Sequence, residues 1–71
     1  MSFYAKLEFT KDDMDRTYTI RTRSGNVYKF EKNTANLKID SEDNMIIFTN
    51  KDNDRIALNC AQIESVKWHV N

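Results

Sequence analysis

Residues 37–58 read LKIDSEDNMIIFTNKDNDRIAL, which is three short apolar runs separated by two polar segments. Polar and apolar residues alternate within each run, a pattern typical of β-strands that bury one face. A four-residue turn, SEDN, pairs Ile39 with Ile46, and a five-residue loop, NKDND, pairs Ile46 with Leu58. The two loops therefore predict the same antiparallel three-stranded sheet independently of each other.

This predicted sheet has an apolar face and an outer face. The apolar face carries Leu37, Ile39, Ile46, Phe48, Ile56 and Leu58. The outer face carries Lys38, Asp40, Met45, Ile47, Thr49, Arg55 and Ala57. Met45 and Ile47 have no role in the core on that face, and Tyr4 lies similarly on the outer face of a predicted strand over residues 3–9. These three are the predicted protein-contact residues, because Met and Tyr are enriched at interface cores.

A second hairpin is predicted upstream of this sheet. Its first strand is rich in β-branched residues, and the Gly and Asn of the Ser-Gly-Asn segment, residues 24–26, tolerate positive φ. A three-residue loop there pairs Arg21 with Lys29 and Ile20 with Phe30, which collects the apolar side chains on one face. A two-residue loop would scatter them over both faces, so the longer loop is the prediction.

The C-terminal part is predicted to turn once and then form a last strand. Residues 59–62 show no alternation, and Asn59 is a suitable N-cap for a single helical or 3₁₀ turn. The strand that follows places Trp68 on its apolar face, and the size of this side chain predicts burial. Pairing of this strand with residues 3–9 would close a barrel, whereas two open edges would favour a dimer.

Together these patterns predict one all-β domain over residues 1–71, an antiparallel meander of about six short strands. The sheet is expected to be curled or barrel-like, SH3-like or pleckstrin-like in general shape, with at most one short helical turn near residues 59–62. Below roughly 70–80 residues a single core supplies about 3–5 kcal/mol. The chain is therefore expected either to close its sheet or to bury an edge against a partner or a second copy, with the balance slightly toward a homodimer.

Composition narrows the function further. The chain has 71 residues, eleven basic and eleven acidic side chains and one Cys. This length excludes a two-domain enzyme, no apolar stretch is long enough to cross a membrane, and no secretory signal is expected at the N-terminus. A lone Cys cannot form an internal disulfide, which indicates a reducing, cytoplasmic location.

Residues suited to catalysis or to metal binding are few. Cys60 and His69 are the only Cys and His, which is too few for structural zinc, and no Gly-rich segment near them indicates an oxyanion site. The Asp-rich clusters fall in predicted turns and lack the spacing of a calcium loop. The only Gly, Gly25, lies in a hairpin, so no phosphate loop exists. The sequence therefore predicts no enzyme activity, no cofactor and no metal.

Two functions remain, and no family motif favours either. The first is a protein-binding module, such as a small accessory or regulatory protein of a phage or mobile element that binds or inhibits a host protein. The alternative is a small β-barrel that binds single-stranded nucleic acid through the basic hairpin residues Arg16, Arg21, Arg23 and Lys29. A net charge of zero makes nucleic acid the less favoured partner.

Overall fold

The computed structural model describes residues 14–71, which form six β-strands and one 3₁₀ turn. The strands are β1 (Arg16–Thr22), β2 (Val27–Glu31), β3 (Lys38–Asp40), β4 (Met45–Thr49), β5 (Arg55–Asn59) and β6 (Ile63–Val70). The 3₁₀ turn, Cys60–Gln62, lies between β5 and β6. The prediction of an all-β antiparallel fold with one short helical turn is confirmed. The predicted strand over residues 3–9 lies outside the described residues.

The six strands form two antiparallel sheets of three strands each. Sheet A has the order β2-β1-β6, and sheet B has the order β3-β4-β5. Paired strands are neighbours in the chain with one exception. The last strand, β6, follows β5 of sheet B in the chain but pairs with β1 of sheet A. The alternation of polar and apolar residues does not indicate that β6 pairs with β1. The pairing considered for β6 from sequence was with residues 3–9, which lie outside the described residues.

Sheet B has the predicted register. Ile46 lies opposite Ile39 on one side and Leu58 on the other, so both loop lengths were read correctly from the sequence. The same four-residue turn would also pair Leu37 with Phe48, and this pair is not part of the ladder because β3 begins only at Lys38. Turn chemistry decides these loop lengths, since short polar side chains fold back onto the loop backbone.

Each loop of sheet B is held by one such side chain. Asp40 Oδ1 accepts hydrogen bonds from the backbone N–H groups of Glu42 and Asp43, both at 3.1 Å. Asn50 Oδ1 accepts from two later backbone N–H groups at 3.0 and 2.8 Å. Each loop also contains one Asn with positive φ, at 57° and 67°. The side chain of Asp40 therefore serves its turn, which is the role expected of Asp in such segments.

The first hairpin has a different register from the predicted one. Arg21 lies opposite Val27, and Lys29 lies opposite Thr19, so the predicted pairing of Arg21 with Lys29 is wrong. The loop consists of residues 23–25, one position earlier than predicted. Moving the loop by one position shifts the partner of each β1 residue by two positions along β2. A two-residue change of register leaves every side chain on its predicted face.

Gly25 explains this register. Its φ is 93°, and in a three-residue hairpin loop the residue with positive φ is the last one. Asn26 is thereby freed to pair, and its carbonyl accepts a hydrogen bond from Thr22 N–H at 2.9 Å. The predicted loop, residues 24–26, places Gly25 at its centre and not at its last position.

A substitution at Gly25 tests this explanation. A Cβ at this position would meet no atom within 4 Å, so any loss comes from the backbone conformation alone. Gly25→Ala is expected to reduce the free energy of unfolding by about 1–2 kcal/mol in urea denaturation. Gly25→Asn should lose clearly less, because Asn tolerates positive φ. Equal losses for the two variants would contradict this account.

The core lies between the two sheets. Its buried residues are Tyr18, Ile20, Phe30, Ala35, Ile46, Phe48 and Leu58. The rings of Phe30 and Phe48 stack across the interface with centroids 4.5 Å apart, and Phe30 also stacks on Tyr18 at 5.1 Å. Ala35, from the segment between β2 and β3, is fully buried, and its carbonyl accepts from Thr49 N–H at 2.8 Å.

The 3₁₀ turn and a β-bulge bring the chain from sheet B back to sheet A. Asn59 Oδ1 accepts from Ala61 N–H at 2.9 Å, which confirms the predicted cap. Ile63 then lies opposite Thr22, whereas Ser65 lies opposite the preceding residue of β1, so Glu64 is the extra residue. The bulge lets Ile63, expected to lie in the turn, start β6 and pack against the core.

Candidate functional site

Three surfaces of the described chain are candidates for binding a partner, and the first and third contain residues that were predicted from sequence to do so. The first is the outer face of sheet B, where Met45 and Ile47 lie on β4. Ile47 has Lys38 opposite it on one neighbouring strand and Ala57 on the other. Met45 and Ile47 are both half-buried, so they present a small apolar surface between charged neighbours. The third predicted contact residue, Tyr4, lies outside the described residues.

The second surface is the end of sheet A where β6 finishes. Its large apolar side chains are exposed: Met14 by 49%, Val70 by 47% and Trp68 by 37%. Trp68 lies opposite Tyr18, and their ring centroids are 6.0 Å apart with planes tilted by 31°. The predicted burial of Trp68 is therefore wrong. Among the described strands β6 is at the edge of sheet A, so Trp68 has a packed neighbour on one side only. These three residues are called the apolar end below.

A polar network fixes the backbone at this apolar end. The side-chain amide of Asn71 donates to Asp15 Oδ2 at 3.0 Å, and Asn71 N–H donates to the Asp15 carbonyl, also at 3.0 Å. Thr17 Oγ1 donates to Asn71 Oδ1 at 2.6 Å. Asn71, the residue after β6, is thus hydrogen-bonded both to Asp15, which precedes β1, and to Thr17, the second residue of β1. Trp68 and Val70 are consequently displayed from an ordered strand.

The network also depends on pH. The hydrogen bond from Asn71 lowers the pKa of Asp15 below its ordinary value, with further lowering by the backbone N–H of Asn33 and the charge of Lys32. A carboxyl group with a lowered folded-state pKa stabilises the fold above its unfolded-state pKa. That contribution is lost as the pH falls through the folded-state pKa, so acid is expected to weaken the network at the apolar end.

The third surface is the outer face of sheet A, which is basic. Thr19 lies between Lys29 of β2 and Lys67 of β6, and Arg21 follows on the same face of β1. The three cationic side chains are all exposed. This surface is called the basic face below.

Two of the four predicted nucleic-acid residues belong to the basic face. Arg21 and Lys29 lie on it, and Arg23 lies in the adjoining turn, where its Nε donates to the Ala61 carbonyl at 3.2 Å. Arg16 lies opposite Val70 and shares the face of β1 that carries Tyr18, so the structure separates it from the others. Lys67 was missed from sequence, because only the pairing of β6 with β1 brings it beside the hairpin.

A shallow groove of ≈ 400 Å³ lies between the first hairpin and the 3₁₀ turn. Its exposed lining is more apolar than polar and comes from Thr22, Arg23, Ser24, Asn26, Tyr28, Leu58, Ala61 and Gln62. Arg23 crosses one side of it, because its backbone N–H donates to the Gln62 carbonyl at 2.8 Å. The groove therefore has one cationic group, already engaged through Nε, and no grouping that indicates a particular ligand.

Cys60 and His69 do not form a pair. Cys60 precedes Ile63, which lies opposite the last residue of β1, whereas His69 lies opposite Thr17 near its start. At roughly 3.3 Å per residue the two side chains are on the order of 20 Å apart. Within residues 14–71, no group of three or more His, Cys, Asp or Glu side chains could hold a metal ion, and no helix is long and apolar enough to span a membrane.

Comparison of the chain with protein-family models, with curated proteins and with solved structures finds no match. Function is therefore argued from the three surfaces themselves. Of these, the apolar end carries the largest exposed side chain and the basic face carries the densest charge.

Proposed function

We propose that this protein is a non-enzymatic protein-binding module that docks its partner on the apolar end. A small accessory or regulatory protein of a phage or mobile element, acting on a host protein, fits such a role. The observation that carries the proposal is the exposure of Trp68, the only Trp of the chain, beside Val70 and Met14. Trp is strongly enriched among the residues that dominate binding energy at interfaces, whereas scattered exposed aliphatic residues need no explanation.

The position of Trp68 supports this proposal. The ring rests on Tyr18, which is fully buried, so it is held in place before a partner arrives. A pre-organised aromatic side chain loses little conformational entropy on binding. Within residues 14–71, β6 is hydrogen-bonded along one edge only, to β1. The apolar end therefore combines an aromatic anchor with the end of an eight-residue strand.

The outer face of sheet B is the weaker contact surface. Met45 and Ile47 are half-buried, and Lys38 and Asp40 flank them on β3. Charged residues are depleted at the cores of interfaces. A variant on that face, Ile47→Asp, therefore serves as a comparison in the binding experiment described next.

A binding comparison of three single variants tests the proposal. Trp68→Ser is expected to weaken capture of the partner from a lysate at least tenfold, because truncating an anchoring residue of an interface typically costs about 2 kcal/mol or more of binding free energy. Val70→Ser, on the same surface, should weaken it less. Ile47→Asp, on sheet B, should leave it unchanged. Capture is quantified by mass spectrometry against an unrelated bait of similar size.

Val27→Ser is the matched control, because Val27 is 48% exposed on β2 and lies away from the apolar end. Each variant is first shown to retain the circular dichroism of the wild type. Sedimentation equilibrium identifies one specific occupant: twice the monomer mass, lost in Trp68→Ser, would make a second copy the partner. Proteins retained equally by the wild type, Trp68→Ser and Val70→Ser would overturn the proposal, and loss only in Ile47→Asp would move the site to sheet B.

A further inference from the structure

We infer that the basic face binds the phosphate backbone of nucleic acid. This inference is independent of the proposed docking of a protein, because it uses the outer face of sheet A, whereas Trp68 belongs to the opposite face. It rests on three cations from three neighbouring strands, Lys29, Arg21 and Lys67. Within residues 14–71 none of the three has a carboxylate within 4.0 Å, so their charges are available to a ligand.

The spacing of these cations gives a continuous positive surface. Neighbouring strands are about 4.8 Å apart, so the Cα atoms of Lys29 and Lys67 are roughly 10 Å apart, with Thr19 between them. Arg21 is about 7 Å further along β1. These separations are close to the Debye length of about 8 Å at physiological salt, so the three charges reinforce one another at the surface. The hydroxyl groups of Thr19 and Ser65 add neutral hydrogen-bond donors of the kind that contact phosphates.

Stability alone does not favour this arrangement. Opposite charges on neighbouring strands stabilise a sheet, and like charges destabilise it. One carboxylate, that of Glu31, lies on the face itself two residues after Lys29, and the carboxylate of Glu64 lies beside it. Glu31 is already paired, since Lys51 Nζ lies 3.7 Å from its Oε1, and Glu64 lies at the bulge. A cluster of cations without matching carboxylates is the arrangement expected of a surface that meets an anionic partner.

The zero net charge of the chain does not argue against this surface, because the charges are unevenly distributed. Many of the acidic residues lie in or beside the two loops of sheet B: Asp40, Glu42, Asp43, Asp52 and Asp54. Of these, Asp52 lines a shallow depression together with Lys29 at the β2 side of the basic face. The basic face belongs to the other sheet. A polyanion approaching sheet A therefore meets a local positive field even though the total charge is zero.

The chemistry of the face indicates contact with phosphates rather than with bases. Among the described residues the face presents no Phe, Tyr or Trp; the aromatic rings of Tyr18, Tyr28 and Phe30 belong to the opposite side of the same sheet. Bases stack on exposed aromatic rings, and sequence is read from base edges. The expected binding is therefore independent of base sequence and strongly dependent on salt.

Fluorescence anisotropy of a labelled oligo-dT, titrated with the full chain at several salt concentrations, tests the inference. Three phosphate contacts predict a log–log salt slope of about −2 for a single strand, or roughly a 20-fold loss of affinity over a fourfold rise in salt. The variant Arg21→Gln/Lys29→Gln/Lys67→Gln should bring this slope close to zero and weaken low-salt binding at least tenfold. Its thermal midpoint should stay unchanged or rise, because like charges have been removed.

Single variants provide the matched control. Lys67→Gln should weaken binding several-fold and reduce the slope by about 0.7, whereas Lys38→Gln, an exposed lysine on sheet B, should do neither. Equal affinity for oligo-dA and oligo-dT is expected, and a duplex arm shows whether one strand suffices. Failure to bind at low salt would overturn the inference, and so would equal effects of Lys67→Gln and Lys38→Gln. Binding of poly-glutamate as tight as that of oligo-dT would show instead that the face accepts acidic proteins.

Discussion

Phe30→Ala is expected to leave the protein largely unfolded at room temperature. Phe30 is fully buried and is the central ring of the core, stacked on Tyr18 at 5.1 Å and on Phe48 of the other sheet at 4.5 Å. Removing a buried Phe side chain costs about 3–5 kcal/mol through lost burial and the cavity left behind. A core of this size supplies about 3–5 kcal/mol in total, so the loss is comparable with the whole stability of the domain.

Urea denaturation followed by Trp68 fluorescence measures this effect. Val27→Ala is the control, since Val27 lies on the same strand and is 48% exposed; its free energy of unfolding should change by less than about 0.5 kcal/mol. Phe30→Leu should fold with an intermediate loss, because it fills part of the cavity. A Phe30→Ala protein as stable as the wild type would mean that the two sheets do not pack through this ring.

Ala35→Asp is expected to have an effect of similar size for a different reason. Ala35 has no exposed surface, although it lies between β2 and β3 and not in a strand. Its carbonyl is occupied by Thr49 N–H at 2.8 Å and by Arg55 Nη1 at 3.0 Å, so the backbone cannot move away without breaking both hydrogen bonds. A carboxylate placed there would be desolvated, and the expected loss is about 3 kcal/mol or more.

Thr34→Asp introduces the same carboxylate one residue earlier, at an exposed position. Its free energy of unfolding should change by no more than about 0.5 kcal/mol. Thermal unfolding of the two variants side by side at neutral pH measures the difference. The Ala35→Asp variant should also recover part of its stability as the pH falls, because a buried carboxyl group is less costly when protonated. Similar midpoints for the two variants would show that Ala35 is not packed between the sheets.

Short-range features were predictable because they depend on neighbours in the chain. The pairing of Ile39 with Ile46 and of Ile46 with Leu58 follows from alternation and from the lengths of two turns, and both are present. The cap at Asn59 is likewise local. The error in the first hairpin is also local: Gly25 ends its loop and does not lie at its centre, which changed the register but not the faces.

The surfaces proposed to bind partners were only partly predictable. Arg21 and Lys29 were recognised because they lie on one hairpin, but Lys67 joins them through a partner strand more than thirty residues away along the chain. Met45 and Ile47 were placed on the correct face of sheet B, yet they are less exposed than Trp68. The size of Trp68 suggested burial, whereas its exposure follows from its position on β6, the outermost described strand of sheet A.

The sequence by itself determined the strands, their inward faces and the register of sheet B, because side chains alternate with a period of two and turns need particular residues. Tertiary structure alone decided which distant strands pair, which loop residue fills the core, and which side chains reach the surface. The pairing of β6 with β1 created the basic face and placed Trp68 on the outermost described strand of sheet A, and Ala35 became a core residue because two sheets close over it. These outcomes depend on contacts between segments far apart in the chain, and local patterns of polar and apolar residues do not specify them.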